Sequence, residues 1–259
     1  MNLELELRSV QAGYNSGRGF NGRQDRSVLC NIDLSVGEGE LLVLAGPNGS
    51  GKTTLLKTAG GLLAPQEGRV TVNGKDIRGL KLKERAALTA FLFQVREEPW
   101  PFSVRETVAQ GCFARHGWLG AETRSDREAV NAALEKAELC ALAERPVTEL
   151  SGGELQRVYI ARCVAQGAAF LLLDEPENNL DIKYANIILT LLSNLVREGR
   201  GAIVSLHDLR LASRFAHRIV LLSMDGTISA LGPPAEVLTA ENLGKVYDMP
   251  PELVRSLML

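Results

Sequence analysis

Apolar residues follow two patterns along this chain, and together the patterns predict a mixed α/β fold. Alternating apolar and polar residues at Leu3–Leu7 and Asn31–Val36 predict strands with one exposed face. Continuous apolar runs at Leu41–Leu44, Phe170–Leu173 and Ala202–Leu206 predict strands that are buried on both faces. Buried strands that alternate with helices are typical of a parallel sheet covered by helices.

Helical spacing of apolar residues fills the segments between the buried strands. The predicted helices are residues 126–144, Ser151–Val164, Lys183–Glu198 and Leu209–Ala216, and a further strand is predicted at Arg218–Ser223. A shorter strand, Gly68–Gly74, ends in an Asn-Gly turn, so we expect antiparallel hairpins in the N-terminal region.

Two stretches are less regular. Asn15–Ser27 is polar and rich in Gly and Arg, which predicts an exposed loop. Leu80–Gln110 is irregular, apart from an apolar run at Leu88–Phe93 that predicts a buried segment and helical character at Val104–Val108.

The segment from Ala45 to Leu55 has the spacing of a phosphate-binding loop. Gly46 and Gly51 precede Lys52 and Thr53, and the segment follows a predicted strand and leads into a predicted helix. Glycines let successive backbone N–H groups converge on phosphate oxygens, and the helix N-terminus adds its positive dipole end. Lys52 supplies a positive charge for the outer phosphates, and the Thr53 hydroxyl is a ligand type for Mg²⁺.

Polar residues also follow two other predicted strands. Asp174 and Glu175 come directly after Leu173, and His207 follows Leu206. Ligands of parallel α/β sheets bind at the carboxyl ends of the strands, so we expect these residues near the phosphate loop. Asp174 is suited to hold Mg²⁺, and Glu175 to orient or deprotonate an attacking water.

A second anion-binding helix end is predicted at Ser151–Glu154. Ser151 and Glu154 fit a capping box, in which each side chain bonds the backbone of the other. The intervening Gly152 and Gly153 destabilise a first helical turn but leave its N–H groups accessible. One phosphate loop is already present, so this helix end implies either a second ligand or the completion of the site of another copy.

Composition narrows the class of protein. The 259 residues are 45% hydrophobic, enough for one large domain or a domain with a subdomain, and the net charge of −2 provides no basic field for nucleic acid. No apolar stretch reaches the roughly 20 residues of a membrane helix, and the N-terminus lacks the layout of a signal peptide. The four cysteines have neither metal-ligand spacing nor a disulfide framework, so we interpret them as buried, reduced thiols. We expect a soluble cytoplasmic protein.

Six motifs in order along the chain resemble those of an ABC-transporter ATP-binding subunit. They are Gly46–Thr54, Gln94, Leu150–Arg157, Leu171–Pro176, Leu180-Asp181 and Ser205–Asp208. The resemblance implies a P-loop NTPase core with a mainly parallel sheet, an antiparallel β subdomain and an inserted α-helical subdomain. The implied boundaries are 1–90 plus 166–240 for the core and β subdomain, 91–165 for the helical subdomain and 241–259 for a C-terminal tail.

The same resemblance implies ATP and Mg²⁺ as cofactors and a head-to-tail homodimer. In that arrangement Ser151–Glu154 faces the γ-phosphate that the other copy's loop holds. The implied nucleotide-binding residues are Tyr14, Gly46, Pro47, Asn48, Gly49, Ser50, Gly51, Lys52, Thr53, Thr54, Gln94, Ser151, Gly152, Gly153, Glu154 and Asp181.

Individual roles also come from the resemblance. Lys52 contacts the β- and γ-phosphates, Glu175 is the catalytic carboxylate and His207 is the switch histidine at the γ-phosphate. Asp181 links the two sites across the dimer, and Tyr14 stacks on adenine. The implied ligands of Mg²⁺ are Thr53 and Gln94, with Asp174 acting through water.

Further motifs resemble the importers of iron-siderophores, haem and vitamin B12. They are Phe102–Glu106, Arg115–Gly120, His207–Ala212, Arg218–Leu222, Leu231–Thr239 and Val246-Tyr247. The resemblance implies separate transmembrane permease subunits, a periplasmic or surface substrate-binding protein, and a peripheral location on the cytoplasmic face of the membrane. The alternatives are an exporter or non-transport ABC ATPase, and a nucleotide-sensing adaptor with little turnover.

One tripeptide departs from the family pattern. Glu177-Asn178-Asn179 stands where small and hydroxylated residues are usual, between Pro176 and Leu180. An extra carboxylate beside Mg²⁺ and phosphates is electrostatically unfavourable unless it points away. Asn178 has the hydrogen-bonding groups to bond across the dimer as a serine would, so we expect an intact site. The sequence does not define its rate of ATP hydrolysis.

Overall fold

The computed structural model of the protein describes residues 3–14, 26–93, 100–116 and 122–258. Within these ranges the strands form two β-sheets, one of six strands and one of four, and the helix Lys52–Ala59 contacts both of them. In chain order the elements are β1 (Glu4–Tyr14), β2 (Arg26–Gly37), β3 (Leu41–Ala45), α1 (Lys52–Ala59), β4 (Glu67–Val72), β5 (Lys75–Asp76), α2 (Leu82–Leu88), β6 (Thr89–Leu92), α3 (Val104–Ala109), α4 (Phe113–His116), α5 (Arg124–Lys136), α6 (Gly152–Gln166), β7 (Phe170–Asp174), α7 (Ile182–Arg197), β8 (Gly201–Ser205), α8 (Leu209–Phe215), β9 (Arg218–Leu222), β10 (Ile228–Gly232), α9 (Pro234–Val237), α10 (Ala240–Tyr247) and α11 (Pro251–Met258).

The larger sheet has the strand order β10-β9-β3-β8-β7-β6. Its strands are parallel except for β10, which pairs antiparallel with β9. Every residue of β3, β7 and β8 is buried, which confirms the continuous apolar runs as strands covered on both faces. Alternate side chains of β3 enter different hydrophobic clusters: Leu41 and Val43 join one cluster, and Leu42 and Leu44 join the other.

The smaller sheet has the order β2-β1-β4-β5 and is antiparallel. Its first two strands are longer than the alternating patterns predict. Their pairing shifts register after Leu7, and Ser9 and Asn31 have positive φ angles of 47° and 51°. These irregularities break the strict alternation that marks a strand in sequence. Of the predicted loop Asn15–Ser27, residues 15–25 lie outside the described residues, while Arg26 and Ser27 belong to β2, so the loop prediction is wrong at its end.

Helices α3, α5 and α6 pack on one another between the β6 and β7 segments of the chain. The helix predicted over residues 126–144 ends earlier, at Lys136, and is followed by a short 3₁₀ turn. Glu138 takes a positive φ of 55° after the C-terminus of α5, so the chain turns although the helical spacing of apolar residues continues. Helix α6 begins at Gly152, as its capping motif predicts.

Two expectations from composition are addressed by the structure. None of the helices among the described residues is both long enough and apolar enough to span a membrane. The prediction of four buried thiols is wrong in part: Cys112 and Cys163 are buried, Cys30 is partly exposed and Cys140 is exposed. Burial raises the pKa of the Cys163 thiol to about 11, so this cysteine stays protonated.

Candidate nucleotide-binding site

The segment between β3 and α1 forms a compact loop over the carboxyl end of the sheet. Gly46 has a φ of 142°, and a Cβ atom there would lie 2.4 Å from the backbone oxygen of Leu222. Only glycine fits this conformation and this close approach. Helix α1 begins at Lys52 with no side-chain cap from Gly51, so its first N–H groups remain available to an anion.

Lys52 bends back over the loop. Its Nζ donates hydrogen bonds to the backbone oxygens of Gly46 at 2.8 Å and Pro47 at 3.1 Å. Burial lowers the pKa of Lys52, while the carboxylates of Glu175, Asp174 and Glu177 oppose that shift. The ammonium group is therefore fixed at the loop by neutral carbonyls, with carboxylates near it.

Asp174 joins the loop helix to the neighbouring strand. The Thr53 hydroxyl donates to Asp174 Oδ2 at 2.6 Å, and the Ser205 hydroxyl donates to Asp174 Oδ1 at 2.7 Å. Ser205 also accepts the backbone N–H of Glu175 at 2.8 Å. Sequence reasoning assigned Ser205 no separate role, although its place at the end of a buried strand, beside Asp174 in the parallel ladder, was a usable signal.

The oxygen donors at this point fit a magnesium ion. Thr53 and Asp174 present a hydroxyl and a carboxylate within hydrogen-bond distance of each other. The described residues contain no cluster of three His, Cys, Asp or Glu side chains suited to a metal. A hydroxyl and a carboxylate are hard oxygen donors of the kind that Mg²⁺ takes, together with waters and oxygens of substrate phosphates. The third predicted ligand, Gln94, lies outside the described residues.

Glu175 and His207 meet at the carboxyl ends of β7 and β8. Glu175 Oε1 lies 2.5 Å from His207 Nε2, and Asn178 Nδ2 donates to Glu175 Oε2 at 3.1 Å. Glu175 holds a positive φ of 49°, an uncommon and strained backbone conformation for a residue with a side chain. The carboxylate is 17% exposed and the imidazole 41% exposed, so both face an accessible space.

The helix start at Ser151–Glu154 forms the predicted capping box. Ser151 N donates to Glu154 Oε2 at 2.9 Å, and Glu154 N donates to Ser151 Oγ at 3.4 Å. Hydrogen bonds from the Ser151 side chain and backbone lower the pKa of Glu154. Ser151 and Gly152 are exposed.

The two glycines of this helix start have different surroundings. A Cβ atom on Gly153 would lie 2.6 Å from the Tyr184 ring, so packing alone explains that glycine. A Cβ on Gly152 would meet only Leu180, at 3.9 Å. Packing therefore does not account for Gly152, and its role in anion binding stays a prediction.

Tyr14 and Asp181 lie at element ends. Tyr14 ends β1, is 47% exposed, and has the Lys57 ammonium 5.7 Å from its ring centre. Asp181 Oδ1 accepts the backbone N–H of Tyr184 at 2.9 Å and so caps α7. Tyr14 is thus available for stacking beside α1, and Asp181 has a local structural role in the single chain.

Tyr247 of α10 is a neighbour of the phosphate loop that sequence reasoning did not place there. Burial raises the pKa of its hydroxyl, while a hydrogen bond from the backbone of Gly46 has the opposite effect on that pKa. Helix α10 therefore contacts the first glycine of the loop. Sequence offered no signal for this contact, because it joins residues about two hundred positions apart.

The loop contains glycines, leads into a helix, and has a fixed lysine and a hydroxyl–carboxylate pair beside it. These features define a P-loop nucleotide-binding protein. Residues 29–178 match the ABC_tran family, described as ABC transporter. The chain belongs to the ABC transporter family and is one of its ATP-binding subunits, an ATPase.

Similar curated proteins include two import subunits. The iron(3+)-hydroxamate import ATP-binding protein FhuC of Bacillus subtilis is 38% identical over 90% of this chain and 87% of its own length. The hemin import ATP-binding protein HmuV of Streptomyces coelicolor is 41% identical over 88% of this chain and 80% of its own length.

Solved structures agree with the fold. A metal-chelate type ABC transporter in an inward-facing conformation aligns with a TM-score of 0.81 and 26% identity, over 96% of this chain and 90% of that chain. The dimeric ATP-binding cassette MJ0796, bound to ADP and Pi, aligns with a TM-score of 0.75 and 31% identity, over 89% of this chain and 98% of that chain. The P-loop NTPase fold expected from the sequence is confirmed.

The position of Tyr14 leads to a test of adenine stacking. Replacing Tyr14 by Ala removes the ring and is expected to weaken ATP binding by about 1 kcal/mol, roughly fivefold in Kd. Titration with a fluorescent ATP analogue measures the affinity, and Tyr14→Phe, which keeps the ring, serves as the control. An unchanged affinity in Tyr14→Ala would remove this residue from the site.

Proposed function

We propose that this chain is the ATP-hydrolysing subunit of an importer for an iron-siderophore, haem or cobalamin-type metal chelate. The contact between Glu175 and His207, next to a phosphate loop, is the observation that carries the hydrolytic part. The names of the FhuC and HmuV relatives support the importer class and the chelate substrate.

The loop residues bind and orient ATP. The first N–H groups of α1 and the Lys52 ammonium hold the β- and γ-phosphates, for which Lys52 must leave its loop carbonyls. Thr53, Asp174 and Gln94 would hold Mg²⁺, which when bound supplies positive charge that neutralises the phosphate oxygens. Tyr14 stacks on the adenine.

Glu175 and His207 act at the γ-phosphate. Glu175 orients the attacking water and accepts its proton. Its Oε2 accepts from Asn178, and its Oε1, which contacts His207, becomes free for the water when His207 turns to the γ-phosphate. His207 exchanges its contact with Glu175 for one with the γ-phosphate. Their partial exposure supports access for both ATP and water.

The role of Glu175 is tested by Glu175→Gln. The amide cannot take up the proton of the water, so steady-state ATP hydrolysis should fall by about two orders of magnitude or more. ATP binding should persist, and an ATP-bound dimer should accumulate. Phosphate release and size-exclusion chromatography measure the two effects.

The control is Glu198→Gln, which changes a carboxylate that pairs with Lys136 away from the site. We expect its hydrolysis to match that of the unchanged protein. Retained turnover in Glu175→Gln would exclude Glu175 as the catalytic base.

A head-to-tail homodimer completes each site in this proposal. Ser151 and Gly152 are exposed, and Ile182, next to Asp181, is 83% exposed although it is a large apolar residue. The dimeric state of MJ0796 supports the same assembly. In the dimer, Ser151–Glu154 of one copy contacts the γ-phosphate on the other, and Asp181 links the two sites.

This arrangement predicts that Ser151→Arg blocks hydrolysis without greatly weakening ATP binding by the monomer. The large cation obstructs the partner's site and leaves the loop of its own chain intact. Equilibrium ATP binding and phosphate release are measured on the same preparation.

Thr123→Arg is a matched control, because Thr123 is also an exposed N-cap residue with a capping box, at the start of α5. It loses a comparable cap, worth about 1 kcal/mol of stability, at a site with no role in hydrolysis. A large loss of monomer ATP binding in Ser151→Arg would contradict the head-to-tail dimer.

The permease subunits are proposed to dock in a groove of about 450 Å³ lined by residues of α2, β6 and α6. Leu82 at its side is 74% exposed and Leu62 is 52% exposed, while Arg85 and Arg162 line the groove. An amphipathic helix with acidic flanks, supplied by a membrane subunit, has the complementary chemistry. The ATPase is then peripheral on the cytoplasmic face, and the complex receives its chelate from a separate binding protein.

Uptake by cells that lack this protein tests the importer proposal. Uptake of an iron-hydroxamate, haem or cobalamin should fall on deletion and return with the unchanged protein. Neither Glu175→Gln nor Leu82→Asp should restore it. The isolated Leu82→Asp protein should keep its ATPase activity, because Leu82 lies away from the nucleotide.

Leu253→Asp, at a half-exposed leucine of α11, is the control and should restore uptake. Normal uptake of all three chelates after deletion would contradict the metal-chelate class. Restoration of uptake by Leu82→Asp would contradict docking in this groove.

A further inference from the structure

Glu177 is a buried carboxylate that the nucleotide chemistry described above does not use. Only 8% of it is exposed, and it lies in the tripeptide that departs from the family pattern. Its Oε1 accepts the backbone N–H of His207 at 2.8 Å. The extra carboxylate therefore points at the main chain of the switch-histidine segment.

The surroundings make Glu177 costly to bury as an ion. Burial raises its pKa, and the hydrogen bond from His207 N–H works against that shift. Its second oxygen, Oε2, is buried and has no hydrogen-bond partner in the described part of the chain. Burying Glu177 in this way costs stability. The hydrogen bond that its Oε1 accepts accounts for a carboxylate at this position.

Glu177 Oε1 accepts a hydrogen bond from a backbone N–H, that of His207, which has no partner in the sheet or in a helix among the described residues. His207 lies after the end of β8 and before the start of α8. The preceding residue, Leu206, still donates its N–H to Leu44 of β3, at 3.1 Å. The N–H of His207 is the first backbone donor beyond the sheet, and Glu177 Oε1 accepts its hydrogen bond.

Asn178, the residue after Glu177, contacts Glu175, the partner of His207. Asn178 Nδ2 donates to Glu175 Oε2 at 3.1 Å, within its own chain. A hydrogen bond from Asn178 across the dimer stays a prediction. Two adjacent side chains thus fix the main chain of His207 and the carboxylate of Glu175. Between these two attachments, Glu175 Oε1 and His207 Nε2 are held 2.5 Å apart.

We propose that Glu177 is a positioning residue for ATP hydrolysis, which fixes His207 through its backbone N–H. The inference rests on the proposed roles of Glu175 and His207. Glu177 acts through His207 and makes no contact with ATP, so its loss should lower kcat and leave the KM for ATP nearly unchanged.

Paired substitutions test the role of the hydrogen bond. Glu177→Ala leaves His207 N–H without its acceptor, and kcat at saturating MgATP should fall about tenfold, with KM changed less than about twofold. Glu177→Gln keeps an acceptor oxygen in nearly the same place, so its kcat should return to within about threefold of the unchanged protein. Thermal unfolding and ATP binding, measured on both variants, establish that each is folded.

A direct observation of His207 accompanies the kinetics. The chain has three histidines, so ¹⁵N-histidine labelling gives a spectrum of three backbone amides, with His207 assigned through His207→Ala. The His207 amide should exchange its hydrogen at least about tenfold faster in Glu177→Ala than in the unchanged protein, and close to normally in Glu177→Gln.

Three results would overturn the inference: an unchanged kcat in Glu177→Ala, equal losses in Glu177→Ala and Glu177→Gln, or unchanged exchange of the His207 amide in Glu177→Ala. Glu175→Gln is measured alongside. If Glu175→Gln retains turnover, the proposed catalytic function fails. If it loses turnover while Glu177→Ala behaves normally, only the positioning role fails.

Discussion

The hydrogen bonds that Asp174 accepts from Thr53 and Ser205 connect the segments on which the site depends. They join the helix that follows the phosphate loop to two neighbouring strands of the parallel sheet. A buried carboxylate is favourable only when its oxygens are satisfied, and here each oxygen has a hydroxyl donor. Because Ser205 also holds the backbone of Glu175, the same small network places the nucleotide loop and the proposed catalytic carboxylate relative to each other.

The geometry at the strand ends also indicates which part of the proposed nucleotide site a single chain provides. The phosphate loop, Glu175 and His207 are assembled at one edge of the sheet, whereas the hydrogen bonds of the Ser151–Glu154 capping box are made within its own helix start. The exposed residues Ser151 and Gly152 thus belong to a helix cap that is complete within one chain. In our proposal the anion that they contact is held by the other copy. A second copy supplies the missing half in our proposal, which makes hydrolysis depend on association and allows ATP to drive movement.

Much of the fold follows from local sequence, because burial on two faces leaves a direct trace in the continuous apolar runs of β3, β7 and β8. The strands β1 and β2 were underestimated, since the irregular pairing near Ser9 and Asn31 interrupts alternation. The site residues were located by motif and strand end, but their partners were not. That Glu177 bonds the His207 main chain and Tyr247 meets Gly46 depends on tertiary packing, which no spacing in the sequence encodes.

The central claim, that each nucleotide site is shared between two copies, is tested most directly by cross-linking in the Glu175→Gln background, with Cys30 and Cys140 replaced by Ser. One preparation carries Asn48→Cys at the exposed tip of the loop, the other carries Ser151→Cys, and they are mixed with a short bifunctional maleimide. Our account predicts a cross-link between the two different variants that forms only with MgATP. Cross-links that join like variants equally well, or that form without ATP, would contradict it.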